Sequence, residues 1–285
     1  MKICVTGADG QLGKALLASP PEGWQVIGLS RKKLDLSDGP AIAAFVAHEA
    51  PDVVINAGAY TAVDKAENEP ELAMAVNGKA PAIFARSLAE YGGRLVQIST
   101  DFVFDGAADT PYAADATRDP LSVYGQTKAA GEDGAGDTAI ILRTSWVYAA
   151  GGSNFVRTML RLMAERDELS VVADQIGSPS WAPDIARTVW ALVEADKPGI
   201  YHHQDAGDVS WHGFATAIAE EAHALGLIKS VPTINAIPSS DYPTPAARPA
   251  YSVLDDRRTR ALLDDTAQPW RENLRKMLNE EKSLG

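Results

Sequence analysis

Two short segments carry side chains able to move a proton. In Tyr124-Gly125-Gln126-Thr127-Lys128 the phenol and the ammonium stand four positions apart, a spacing that places them on one face of a helix. A free phenol has a pKa near ~10 and exchanges protons poorly at neutral pH. An adjacent ammonium favours the phenolate, so Lys128 is expected to draw Tyr124 down towards the range of an acid–base catalyst. The second segment, Ser99-Thr100-Asp101-Phe102, follows an apolar run and offers the Thr100 hydroxyl to a carbonyl oxygen. Tyr-x-x-x-Lys alone is also common on amphipathic surface helices, so its meaning depends on a partner feature.

That feature lies near the N-terminus. Ile3-Cys4-Val5 runs into Thr6-Gly7-Ala8-Asp9-Gly10-Gln11-Leu12-Gly13, a Gly-x-x-Gly-x-x-Gly turn that opens a helix. Gly7 permits the tight turn, Gly10 lets the backbone approach a pyrophosphate, and Gly13 lets the helix sit close on the strand. A plain turn uses the same glycines, but the place between strand and helix is that of a dinucleotide fingerprint. After the second strand, where a carboxylate would bond the adenine ribose of NAD, stand Ser30-Arg31-Lys32-Lys33, and the first acid is Asp35. A hydroxyl and cations suit a 2′-phosphate, which favours NADPH as cofactor, with NADH as the alternative; solvated loop charges are the plain reading. Asp35-Leu36 would then flank the adenine.

These residues need elements to hold them. Ile3–Val5, Val26–Leu29, Val53–Ile55, Leu95–Ile98 and Ile140–Leu142 are short apolar runs of the kind that form strands buried on both faces. Ala-rich stretches such as Ile42–Ala50 and Glu71–Tyr91 lie between them as helices. This alternation predicts an α/β fold with a Rossmann-type, doubly wound parallel sheet, whose ligands bind beyond the carboxyl ends of the strands. After residue 150 the pattern loosens. Helices are expected over Asn154–Glu165, Trp181–Val193 and Trp211–Leu225, a strand over Gly199–His202, and mostly extended loop over the proline-rich Val231–Pro249. Residues 1–150 read as a cofactor domain, completed by a strand and helix from 181–205. Residues 151–285 read mainly as a smaller C-terminal substrate-binding lobe.

The chain of 285 residues is 46% hydrophobic and 22% charged, enough to bury a large core. A net charge of −12 disfavours nucleic acid and anionic membrane as partners. One cysteine, Cys4, excludes an intrachain disulfide and fits a reducing cytoplasm. No long apolar signal segment follows Met1, and the longest stretch free of Asp, Glu, Lys and Arg, Thr144–Val156, falls short of the ~20 residues of a membrane span. The histidines His48, His202, His203, His212 and His223 show no zinc-ligand spacing, and no metal site is read; His202-His203 reads as structural or exposed. Arg157, Arg161 and Glu165 read as a solvated helix face.

Combined with the glycine turn, Thr100, Tyr124 and Lys128 resemble the Ser/Thr, Tyr, Lys triad of the short-chain dehydrogenase/reductase superfamily, in its extended, nucleotide-sugar branch. Within that branch the chain resembles the dTDP-4-dehydrorhamnose reductases. The likeness is carried by Gly7–Gly13, Asn56–Glu67 (NAGAYTAVDKAE), Ser99–Gly106 (STDFVFDG), Val123–Glu132 (VYGQTKAAGE), Leu142–Tyr148 (LRTSWVY), Asn154–Arg166, Asp174–Ser180 (DQIGSPS) and Pro243–Pro249 (PTPAARP). The resemblance implies hydride delivery from NADPH to C4 of the 4-keto-6-deoxy-L-sugar of a dTDP-sugar, giving dTDP-L-rhamnose. It implies that Tyr124 protonates the alkoxide, that Lys128 holds the nicotinamide ribose, and that Thr100 bonds the carbonyl oxygen. It further implies that Gly10, Gln11, Leu12, Asp35, Leu36, Ala59, Tyr60, Thr61 and Ile98 lie along the cofactor. Thr100, Asp101 and Trp146 would touch the sugar, with Val63 nearby.

The residues themselves add to this. Ala57-Gly58-Ala59 is small enough for a cofactor to lie against. Trp146 offers a flat wall to a deoxysugar, or fills the core. Arg248 can grip a pyrophosphate bidentately or form a structural salt bridge. Asn154 can cap a helix or bind phosphate at its N-terminus. Phe102, placed beside the substrate by its position after Asp101, lacks the hydroxyl of the Tyr that many members of the resembled family carry there. Some relatives dimerise through metal-bridged carboxylates, and Lys14-Ala15-Leu16-Leu17 holds no Glu for this, so a monomer or weak homodimer is expected. The rivals are another nucleotide-sugar 4-ketoreductase, a dehydratase or epimerase of the same fold, and a non-catalytic regulatory subunit. Thr100-Asp101-Phe102 lacks the Glu that a dehydratase needs, and the intact triad argues against a non-catalytic role.

Overall fold

The computed structural model describes residues 1–284. Strands β1 (Lys2–Thr6), β2 (Gln25–Leu29), β3 (Val53–Asn56), β4 (Arg94–Thr100) and β5 (Ile140–Thr144) join the later strand Gly199–His203 in one six-stranded sheet. All neighbours run parallel, in the order β2-β1-β3-β4-β5-(Gly199–His203). This is the doubly wound α/β architecture expected of buried apolar runs joined by helical crossovers. Alternate side chains serve opposite faces. Ile3, Val5, Ile55 and Val96 meet helix Ala182–Ala195 through Ile185 and Val189, whereas Cys4, Val54 and Leu95 meet Ile42, Val46 and Phe84 of helices Gly39–Glu49 and Ala80–Ala89. The strand order reverses between β1 and β3, which is where such sheets open a crevice for ligands.

The stretch Glu71–Tyr91 is helical but not one regular helix. Pro70–Ala73 is followed by a π-helical segment, Met74–Lys79, before Ala80–Ala89. Most of the proline-rich Val231–Pro249 is loop, as expected, with one short strand set into it. Between Pro232 and Pro238 the proline-free Thr233–Ile237 forms a strand paired in parallel with Glu168–Val172, and Ser239–Asp241 makes one 3-10 turn. The prolines therefore bound the strand instead of preventing it. Helices Phe155–Glu165, Trp211–Ala224 and Trp270–Leu284 enclose a second core around Met159, Met163, Phe214, Ile218, Leu274 and Met277. Among the described residues no helix is long and apolar enough to cross a membrane.

Candidate active site

The glycine turn sits at the carboxyl end of β1, beside the switch in strand order. Gly7 has φ +65, a conformation that L side chains rarely adopt, and a Cβ there would lie 2.8 Å from Gly58 Cα. A Cβ on Gly13 would lie 2.1 Å from the Gly7 carbonyl oxygen, so only glycine lets helix Gln11–Ala18 approach the strand this closely. Gly10 stands at the N-cap with no side-chain cap and no acid in the first turn. The first amides, at Gln11, Leu12 and Gly13, are thus placed as an anion site. Thr6 ties the β1 end to β3 by donating to Asn56 Oδ1 at 2.6 Å, while its Oγ1 accepts the Gly58 N–H at 3.0 Å.

Gln11 reaches across the lobes: its Nε2 donates to Val147 O at 3.3 Å, and its Oε1 accepts from Asn154 Nδ2 at 2.7 Å. Of the two readings of Asn154, the helix cap is the one present. Its Oδ1 accepts the Arg157 N–H at 3.1 Å and its Nδ2 also donates to Ala149 O, so both ends of the amide are engaged. Further along the crevice, Arg31 is 76% exposed and pairs with Asp35 at 3.6 Å. The Ser37 N–H and hydroxyl, with Arg31, hold the Asp35 carboxyl below its usual range. Leu36 is buried against Gly58, Ala57 packs on the main core, and Ser30 turns the chain by accepting from the Lys33 and Leu34 amides.

Tyr60 is fixed by a residue that sequence reasoning missed. Asn77, buried in the π-helical segment, accepts the Tyr60 N–H at 2.8 Å and donates through Nδ2 to Tyr60 O at 3.1 Å and Thr127 Oγ1 at 3.2 Å. It thereby links the loop after β3, which carries Ala59, Tyr60 and the exposed Thr61, to the helix of Tyr124 and Lys128. A poor helix former inside an apolar helical stretch was the available signal.

Helix Val123–Ala135 starts where the Ser122 hydroxyl accepts the Gly125 N–H at 3.2 Å and Glu67 Oε1 accepts the Val123 N–H at 2.9 Å. It carries Tyr124 and Lys128 inward, and both are buried. Thr100 ends β4, donates to Asp101 Oδ1 at 2.9 Å and accepts the Phe102 N–H at 3.2 Å. The Phe102 ring meets the Tyr124 ring edge-on, 5.5 Å between centroids. Val63, Tyr60 and Phe102 share one apolar cluster with Tyr124, so residues spread over more than sixty positions converge on the phenol.

The expectation that Lys128 lowers the Tyr124 pKa is corrected. Burial pushes the phenol up to about 12 against a smaller pull from Thr100, and burial pushes the Lys128 ammonium down to about 8. Lys128 Nζ instead donates to Ile98 O at 2.6 Å. Loss of water around both groups outweighs their shared helix face. Burial also raises Asp101 to about 6. Behind the triad, Glu132 accepts from Ser99 Oγ at 2.5 Å, from Arg143 Nε at 2.9 Å and Nη2 at 2.7 Å, and from Arg118 Nη1 at 3.1 Å. These bonds lock helix Val123–Ala135 to β4 and β5.

Trp146 is held at φ +46, an unusual conformation for a bulky residue, and stacks on Trp211 with centroids 3.4 Å apart. Arg248 forms a bidentate pair with Asp64, Nη1 to Oδ1 at 3.0 Å and Nη2 to Oδ2 at 2.8 Å. The salt-bridge reading of Arg248 is the one present, and it pins the loop of PTPAARP to the residue next to Val63.

The RmlD substrate binding domain family matches the chain over residues 1–283. The chain belongs to this family. Its similarity to RmlD-family enzymes runs end to end. The dTDP-4-dehydrorhamnose reductase of Burkholderia thailandensis is 43% identical, covering 95% of this chain and 96% of that one. The enzyme of the same name from Salmonella typhimurium is 40% identical, covering 98% of each chain. Among solved structures, dTDP-4-dehydrorhamnose reductase from Clostridium acetobutylicum superposes with a TM-score of 0.93 at 36% identity, covering 99% of this chain and 100% of that one. The Bacillus anthracis enzyme, in complex with NADP, gives 0.91 at 34%, covering 98% and 99%. A UDP-glucose 4-epimerase from Thermus thermophilus shares the fold at 20% identity, TM-score 0.81, with full coverage of both chains.

Proposed function

We propose that this RmlD-family chain reduces the C4 keto group of dTDP-4-dehydro-6-deoxy-L-mannose to dTDP-L-rhamnose, the last step of dTDP-rhamnose biosynthesis. The observation that carries the reading is the end-to-end likeness to dTDP-4-dehydrorhamnose reductases, with Thr100, Tyr124 and Lys128 present and buried at one sheet edge. When bound, NADPH supplies the hydride. The glycine cradle, which a Cβ at Gly7 or Gly13 would fill, fits its pyrophosphate against the amides of Gln11–Gly13. Arg31 and Ser30 are assigned to the 2′-phosphate. Asp35 and Leu36 are assigned to the adenine side, and Ala57, Ala59, Tyr60, Thr61 and Ile98 to the wall of the cofactor groove.

Tyr124 donates the proton to the oxygen at C4. Burial keeps its phenol neutral, which is the form that can donate. Thr100 bonds the same oxygen and Lys128 supplies positive charge where the alkoxide develops. Val63, Asp101, Phe102 and Trp146 are assigned to the sugar. Arg248 acts through the loop that it ties to Asp64, and Asn154 through its cap and Gln11. Residues 1–150, with 181–205, form the cofactor half, and the rest of 151–285 mainly shapes the sugar-nucleotide site. A cytoplasmic monomer or weak homodimer is the assembly in keeping with the sequence.

The test is incubation of purified protein with NADPH and enzymatically generated dTDP-4-dehydro-L-rhamnose, with the product identified by NMR. Consumption of NADPH with formation of dTDP-L-rhamnose is expected. No consumption would overturn the reading, and a C4 epimer would assign the chain to another 4-ketoreductase.

A further inference from the structure

Away from the triad, three buried side chains from separate parts of the chain converge on one point. Asp184 lies in the first turn of helix Ala182–Ala195, His203 ends strand Gly199–His203, and Asp205 follows two residues later. One ligand atom from each lies within 4.8 Å of the others, and His203 Nε2 is 3.9 Å from Asp205 Oδ1. His203 and Asp205 have no exposed surface and Asp184 has 6%.

In each residue one polar atom is held and the other is left over. Asp184 Oδ1 accepts from Arg187 Nη2 at 2.8 Å and Nε at 3.0 Å, His203 Nδ1 pairs with Thr188 Oγ1 at 2.8 Å, and Asp205 Oδ2 accepts the Trp181 N–H at 3.2 Å. Asp184 Oδ2, His203 Nε2 and Asp205 Oδ1 are buried without a partner. Buried polar atoms are almost always bonded. The Asn273 amide, itself without a partner at Nδ2, and the Tyr148 hydroxyl also face Asp205, and with Asp184 Oδ2 and His203 Nε2 unpaired beside it the three converging atoms point to a missing occupant. Outer bonds that orient a ligand while leaving its second atom free are the arrangement around protein metal ions.

We propose that Asp184, His203 and Asp205 bind one divalent transition-metal ion of the zinc type. Imidazole nitrogen and carboxylate oxygen are both zinc ligands, and three of them around a tetrahedral ion leave its fourth position to water. Two ligands ~2.0–2.1 Å from such an ion lie roughly 3.3 Å apart, so the observed separations close with small side-chain rotations. Magnesium, which prefers an octahedral shell of oxygens, suits the site less. The nearby guanidiniums do not occupy the point: Arg187 is paired with Asp184 Oδ1 and Asp265, and Arg260 with Asp256 and Asp265. A cleft of ≈ 330 Å³ lined by Trp181, Pro183, Asp184, Arg187, Asp265 and Lys276 reaches Asp184 from the surface. The ion would staple the start of the helix that backs the sheet to the end of the sheet's edge strand.

The test titrates Zn²⁺ into the full, chelator-stripped chain against a chromophoric competitor, alongside Asp205→Asn and Thr188→Val. The wild type is expected to take up one equivalent and to melt at a higher temperature with zinc than without. Asp205→Asn is expected to lose this uptake, with far-UV circular dichroism reporting its fold. Thr188→Val keeps all three ligands and removes only the orienting bond to His203, so ~10–100-fold weaker binding is expected; this variant decides the question if Asp205→Asn does not fold. No stoichiometric uptake by the wild type overturns the proposal. So does affinity unchanged in the folded variants, which would put the metal on exposed histidines.

Discussion

Glu132→Ala is expected to remove a large part of the folding stability. Arg143 is 1% exposed, and its Nε and Nη2 both donate to the Glu132 carboxylate; its Nη1 donates to the Ala114 carbonyl at 3.1 Å and its guanidinium lies 5.1 Å from the Phe104 ring centroid. Without Glu132 that charge keeps only neutral partners. Breaking one side of a buried ion pair costs about 3–5 kcal/mol, and the orphaned Ser99 hydroxyl, also buried, adds about 1 kcal/mol or more. Folded domains hold only about 5–15 kcal/mol, and each kcal/mol moves the melting temperature by roughly 2–4 °C in chains approaching this size. A fall of roughly 10–20 °C follows from these ranges. Urea unfolding followed by far-UV circular dichroism would show a lower midpoint at an unchanged slope. The companion variant Glu132→Leu with Arg143→Met removes both charges and should recover most of the loss; Arg118 keeps its pair with Asp133 at 2.5 Å. A single variant that costs under ~1 kcal/mol, or a double variant as damaged as the single, would refute the assignment of an energetically coupled pair. The pH dependence has a matching sign. Burial raises the Glu132 carboxyl, but the bonds and charge of Arg143 outweigh it and hold the group below its usual range. Its contribution is present above the unfolded value of ~4.3 and is lost as pH falls below it, so the wild type should weaken in acid more steeply than the double variant.

Tyr124→Phe should lower kcat by ~10²–10⁴ while NADPH affinity, read by fluorescence quenching, stays within a few-fold; retained turnover would reject Tyr124 as the acid. Lys128→Met should abolish turnover yet stabilise the cofactor-free chain by about 3 kcal/mol below pH 8, because an ammonium pushed down to about 8 by burial is disfavoured in the folded state. The sign is that of a depressed cation: wild-type stability from this group rises with pH between about 8 and the unfolded ~10.4, and the gain from the variant shrinks over the same window. Gly13→Ala should weaken NADPH binding more than ~10-fold and cost about 1–3 kcal/mol, since its Cβ would meet the Gly7 carbonyl. Arg31→Ala should raise KM for NADPH about tenfold and leave KM for NADH unchanged, because it removes a phosphate partner worth about 1.5–3 kcal/mol at most. Equal changes for both cofactors would remove Arg31 from the 2′-phosphate site.

What sequence determined here is local. The five apolar runs of the first half became β1–β5, because runs of that kind are buried on both faces of a parallel sheet. The glycines of the first turn were readable since a positive φ at Gly7 and a close approach at Gly13 are demands on single positions. The four-residue spacing placed Tyr124 and Lys128 on one helix face. Their protonation was not readable, because it depends on how much water the surrounding lobes exclude. Asn77 beside Tyr60 and Thr127, Glu132 between Ser99 and Arg143, and Arg248 on Asp64 join positions distant in the chain by bonds that leave no spacing signature. The same holds for Asp184, His203 and Asp205: as neighbours in sequence they match no ligand pattern, and only the packing of a helix start against a strand end turns three unused polar atoms towards one another.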